Sequence, residues 1–146
     1  MAIASQTISS RQLWLTVMVP FSLGFVMASA SRSMNAVLAT PLEAELDLSG
    51  AELGTIAAAY LITFALAQIP LGILLDRWGA RVTQALFFVV AAIGAVVFGL
   101  GSDPAVLAAG RALLGFGTAG GLMAALKAVS EWVEEERLPF FNGLVI

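Results

Sequence analysis

Uncharged runs long enough to cross a lipid bilayer dominate this chain and limit what it can fold into. Leu53 to Leu75 is 23 residues without a charge, and Val82 to Ser102 adds 21 more. Gln12 to Ser31 is uncharged, Arg32 interrupts, and Ser33 to Leu42 continues. From Pro104 onward only Arg111 breaks the run before Lys127. A helix needs about 20 apolar residues, at about 1.5 Å each, to cross the hydrocarbon core. Four stretches meet that length, and a fifth starts at Leu138 and runs nine residues to Ile146. The expected organisation is a cytoplasmic tail over 1–12 and a membrane region over 13–146, with spans at 13–38, 53–75, 82–102 and 104–130 and the start of a fifth at 138–146. A secretory signal fits the first run poorly, because that run is long and no small-residue cleavage site precedes a soluble domain. The fold class expected is an all-α membrane protein.

Composition removes most other chemistry. Apolar residues are 60% of the chain and charged residues 12%, against about 45–50% and about 25% in soluble domains. There is no cysteine and no histidine, which excludes thiol nucleophiles, Ser-His-Asp triads and nearly all structural zinc sites. Net charge is −3 without a basic cluster, so no nucleic-acid partner is expected. No Gly-x-x-x-x-Gly-Lys phosphate loop occurs, and ATP-driven transport has no support. The expectation is a protein that is not an enzyme, with no metal and no cofactor, whose surroundings are the lipid bilayer.

Charges between the spans set orientation. Glu43, Glu45, Asp47 and Glu52 follow the first span without a Lys or Arg, and the loop before the fourth carries only Asp103. Arg11, Arg77, Arg81 and Arg137 fall on the other side. Basic residues are retained on the cytoplasmic side and acidic ones count little, so Glu134 to Glu136 do not overturn the assignment. The N-terminus is expected in the cytoplasm, in a multi-pass protein of the cytoplasmic (inner) membrane. Ser49 to Glu52 reads as a capping box opening the second span, and Asp103-Pro104 as a turn followed by a helix start.

The most specific stretch is Gly72-Ile73-Leu74-Leu75-Asp76-Arg77-Trp78-Gly79-Ala80-Arg81, between the second and third spans. It reads as a tight turn in which Gly79 takes a positive φ, while Gly72 admits a neighbouring helix closely. Asp76 sits at the membrane boundary beside two guanidinium groups. As a plain charged loop, the same residues would only set topology. The pattern Gly-x-x-x-Asp-Arg-x-Gly-x-Arg, in this loop and on this side, resembles the major facilitator superfamily. A second match follows in the fourth span: Arg111, then Gly115, Gly117, Gly120 and Gly121. A glycine-rich helix is in itself a packing surface. An arginine inside a span is costly and normally faces a cavity or a partner.

The resemblance implies a secondary transporter working by alternating access, with proton coupling (a symporter) as a class property. It implies two six-helix halves with the substrate site between them near the bilayer midplane, so this chain reads as a fragment, four spans and the start of a fifth, partnered by the missing C-terminal part of the same transporter. It also implies that the loop motif (Gly72, Asp76, Arg77, Gly79, Arg81) latches the halves when the cytoplasmic side is closed, and that Glu131 pairs with Arg77 or Arg81. Two rival readings stand beside it. One is a small four-span exporter acting as an oligomer. The other is a non-transporting membrane assembly protein, for which the loop motif is coincidence.

Polar groups inside the spans supply the candidate substrate-binding residues: Arg32, Tyr60, Arg111 and Lys127. Ser22, Ser29, Arg32 and Ser33 share one face of the first span, and such a stripe faces protein or water rather than lipid. Snorkelling of Arg32 to the interface is the alternative. Lys127 and Glu131 are four apart, which makes an ion pair on the helix surface the leading reading, with an inner-vestibule role for Lys127 behind it. Arg111 and Lys127 lie about 160° apart around a straight helix and share a cavity only if it bends. Tyr60, Thr63 and Gln68 serve equally as solute contacts or as bonds between helices. Pro20 and Pro70 are expected to mark kinks. No acidic residue lies mid-span, so a carboxylate proton carrier must come from outside these residues. Three cations with only Glu131 near enough to pair favour an anionic substrate, carboxylated or phosphorylated, held by the Arg32 fork.

Overall fold

The computed structural model describes residues 14–133 and 135–145. Among them there is no strand. A π-helical turn, Trp14–Met18, leads into helix α1, Val19–Leu46. Pro20 lies in the first turn of α1, just after the π-helical turn, and Met18 already has helical dihedrals, φ −61° and ψ −54°, so the missing N–H of Pro20 falls where the hydrogen-bond pattern changes from π to α. The helix also continues beyond the expected end of the first span, through Pro41, so that Glu43 and Glu45 sit on its last turns rather than in a loop. Asp47 closes it in the left-handed region, φ 51°.

Ser49 opens α2, Gly50–Leu100, with the capping box read from the sequence. The Glu52 N–H donates to Ser49 Oγ, and Ser49 N donates to Glu52 Oε2 at 2.8 Å. A straight helix of 51 residues would extend about 77 Å, more than twice the hydrocarbon thickness. Gly79, at φ 74° and ψ 170°, divides it into two limbs, 50–78 and 80–100. Only glycine populates that region freely. The limbs fold back: Leu71 and Phe87, each eight residues from Gly79, both lie beside Gly120. Pro70 does not break the first limb, since Gly79 is the single non-helical position within α2.

Asp103 caps the next helix by accepting from Ala105 N at 2.8 Å, and α3, Pro104–Thr118, runs into α4, Gly120–Trp132. At the junction Ala119 N donates to Phe116 O, one residue short of the α-helical partner. Thr118 Oγ1 donates to Leu114 O at 2.7 Å. Ala119 keeps helical dihedrals, φ −58° and ψ −32°, so the interruption between the two helices is one of hydrogen bonding at the glycine run. A 3₁₀ turn, Glu135–Arg137, precedes α5, Leu138–Val145.

Glycines let α3 lie against both limbs of α2. A Cβ at Gly115 would collide with the Tyr60 carbonyl, and one at Gly117 with the Ala91 backbone. The core these contacts enclose is rich in alanine and medium-sized side chains, including Ala67, Leu71, Phe87, Ala124, Ala125, Ala128 and Val129. Bulky apolar residues such as Leu66, Ile69, Val89 and Ile93 point outward. Small residues inside and large ones outside is the arrangement that helices in lipid adopt. Gly50–Leu100 and Pro104–Trp132 are long and apolar enough to cross a membrane. The α1 run is diluted by Ser22, Ser29, Ser31, Arg32 and Ser33.

Candidate functional site

The polar groups divide into a mid-span set on α1, α2 and α3 and a set at the Gly79 end. Arg111, on α3, is 1% exposed. Its Nη1 donates to the Ser31 carbonyl of α1 at 3.3 Å, and its Cζ lies 4.4 Å from the Phe98 ring centroid. Nε has no partner among the described residues. A desolvated guanidinium over an aromatic face gains about 2 kcal/mol or more, which offsets part of the cost of burying the charge. Arg32 follows Ser31 on α1 and is exposed. Its Cζ lies 5.3 Å from the Phe64 ring centroid on α2. Among the described residues no group accepts a hydrogen bond from Arg32 and no carboxylate pairs with it.

Tyr60 is fully buried. Its hydroxyl lies 2.8 Å from Thr118 Oγ1. Because the single Thr118 proton is engaged at Leu114 O, Tyr60 is the donor. The Tyr60 hydroxyl thus ties α2 to the end of α3, the interhelical one of its two readings. Thr63 likewise bridges to α3, donating to Ala112 O at 2.7 Å. Phe64 stacks on Tyr60 with ring centroids 6.2 Å apart, so the fixed Tyr60 ring backs the surface that Arg32 covers.

At the other end, Lys127 Nζ donates to Asp76 Oδ1 at 2.9 Å. The expected Lys127–Glu131 pair does not form. Glu131 is exposed, and among the described residues neither Arg77 nor Arg81 pairs with it. The reason is geometric. Ala67, Leu71 and Leu75 of α2 share one cluster with Ala124, Ala125 and Ala128 of α4, and Asp76, the residue after Leu75, therefore lies within reach of Lys127. The pair lies along a groove of about 660 Å³ lined by Gln68, Gly72, Asp76, Lys127, Ser130 and Asn142. A Cβ at Gly72 would meet open space, so the close helix approach expected there is absent among the described residues. Gly79 has the positive φ its turn requires, while Arg77 and Arg81 are exposed.

Phe64, Phe98 and Thr118 contact the candidate residues, and the sequence pattern singled out none of them. Phe64 lies four residues after Tyr60 and so shares its helix face, a signal that was available. Phe98 and Thr118 are named only by contacts across helices.

A family model described as Major Facilitator Superfamily matches residues 21–146. Over 106 residues the chain is 32% identical to a nitrate/nitrite transporter of Picosynechococcus, covering 73% of this chain and 20% of that protein. It is 32% identical over 111 residues to a hexuronate transporter of Escherichia coli, covering 76% and 26%. It is 31% identical over 111 residues to a galacturonate transporter of Dickeya chrysanthemi, covering 76% and 32%. The chain thus spans between a fifth and a third of the length of these relatives. No solved structure matches it. A match over residues 21–146 removes the coincidence that the assembly-protein reading needed.

Proposed function

Since this chain belongs to the major facilitator superfamily, and is therefore part of a multi-pass membrane protein, we propose that it contributes the opening helices of a secondary active transporter for a small anion. The transporter would lie in the cytoplasmic membrane with its N-terminus inside, and would work by alternating access around a central site. One observation carries the anion reading. Two guanidinium groups, Arg32 and Arg111, lie within membrane helices and rest on phenylalanine rings rather than on carboxylates. An intramembrane cation without a carboxylate is an unsatisfied charge, and a solute anion supplies the missing sign. Relatives named for nitrate/nitrite, hexuronate and galacturonate support it.

Arg32 is the residue we assign to direct contact, because it is exposed and its N–H donors are unengaged among the described residues. A planar guanidinium fork matches carboxylate or nitrate in a bidentate manner. Arg111 contributes its field from behind Ser31. Lys127, tied to Asp76, belongs to the cytoplasmic switch in this conformation. Proton coupling is part of the proposal, with its carrier outside these spans.

The test is uptake by the full-length protein carrying these residues, comparing galacturonate and nitrate with a neutral hexose. Saturable uptake of an anion is expected, with Arg32→Lys weakening it far more than it weakens folding. Uptake of a neutral or cationic solute that Arg32→Gln leaves unchanged would overturn the reading.

A further inference from the structure

We infer that Phe64 is a positioning residue for the solute anion, acting through Arg32; the inference rests on the anion reading above. The argument begins with what a charged side chain needs in order to stay available. A carboxylate partner would fix the Arg32 guanidinium, but it would also neutralise it and compete with an incoming anion. An aromatic face attracts the cation through its quadrupole and leaves the net charge intact. The Arg32 Cζ lies 5.3 Å from the Phe64 centroid, within the range of that attraction. A ring also accepts nothing at the in-plane N–H groups of the fork, and among the described residues no other group accepts from them.

Phe64 is itself fixed from the far side. It stacks on Tyr60 at 6.2 Å and 17°, and Tyr60 is fully buried and bonded to Thr118, the last residue of α3. A continuous set of contacts therefore runs from Thr118 through Tyr60 and Phe64 to the guanidinium. The α1 backbone is held at the same level, because Arg111 Nη1 donates to the Ser31 carbonyl one residue before Arg32. Arg32 is thus set in place at both its backbone and its head while its donors stay free. Holding the fork before binding removes the cost of ordering a long side chain during binding. Phe64 should consequently set anion affinity and leave turnover alone.

The test compares Phe64→Leu, which keeps apolar packing and loses the quadrupole, with Phe64→Trp, which keeps it, in the full-length protein. Galacturonate and nitrate serve as probes, and Arg32→Gln is run in parallel. Phe64→Leu is expected to raise KM for the anion by roughly two- to fivefold, the loss of a cation–π contact at an exposed site, with kcat unchanged. Phe64→Trp is expected to stay near the wild-type KM. A merely structural role would lower kcat and yield together and would not be rescued by Trp. If Arg32→Gln abolishes uptake while Phe64→Leu keeps the wild-type KM, or if Phe64→Trp is as impaired as Phe64→Leu, the positioning role is wrong and the anion reading stands. If Arg32→Gln leaves uptake unchanged, or the wild type takes up neither anion, both fall.

Discussion

Thr118→Val should destabilise this protein more than Tyr60→Phe, although the two remove opposite ends of one hydrogen bond. The asymmetry follows from proton bookkeeping. Thr118 uses its only proton at Leu114 O, 2.7 Å away, so the Tyr60 hydroxyl donates across the 2.8 Å contact. Tyr60→Phe removes the donor and leaves Thr118 still bonded to its own helix. Its cost should be that of an ordinary interhelical bond in a membrane protein, about 0.6 kcal/mol. Thr118→Val removes the acceptor and strands a hydroxyl on a side chain that is 0% exposed, at about 1–3 kcal/mol. The double variant strands nothing, so it should recover most of the loss, a coupling of about 1 kcal/mol in a mutant cycle. Equilibrium unfolding of the purified protein in mixed micelles with dodecyl sulfate measures this, with Trp14, Trp78 and Trp132 as fluorophores. A Tyr60→Phe cost equal to or above that of Thr118→Val, or additive losses in the double variant, would refute the donor assignment.

Other expectations follow from the same geometry. Gly79→Ala places a side chain at φ 74°, ψ 170° and should cost about 1–3 kcal/mol in that unfolding assay. Gly115→Ala should cost about 1–3 kcal/mol, because its Cβ meets the Tyr60 backbone, which cannot rotate away; Gly72→Ala, whose Cβ meets open space, should stay within about 0.5 kcal/mol. Asp76→Asn in the full-length protein should impair transport while leaving expression intact, and wild-type uptake would remove the latch reading. Glu52 is held below its ordinary value of 4.5 by the hydrogen bonds from the Ser49 side chain and backbone. A lowered carboxyl stabilises the fold above the unfolded value and loses that contribution as pH falls through the folded one. Acid titration of the unfolding midpoint should therefore show a loss setting in below about pH 4.5, which Ser49→Ala reduces without abolishing, because the backbone N–H of residue 49 still donates to Glu52.

The sequence by itself determined the uncharged runs, the capping box at Ser49 and Glu52, the turn at Gly79 and the chemistry the chain lacks. These are properties of a single segment, set by hydropathy over about 20 residues or by a backbone conformation only one residue type adopts. Tertiary structure decided which partner each polar side chain takes. Lys127 bonds Asp76, 51 positions away, rather than Glu131 on its own helix. Arg111 meets Phe98 and the Ser31 carbonyl, and Tyr60 meets Thr118. Helical spacing tells which residues share a face, and it says nothing about which face of another helix will lie opposite. That is set by how closely backbones approach and how each helix is rotated. Here the close contacts at Gly115 and Gly117 fix both.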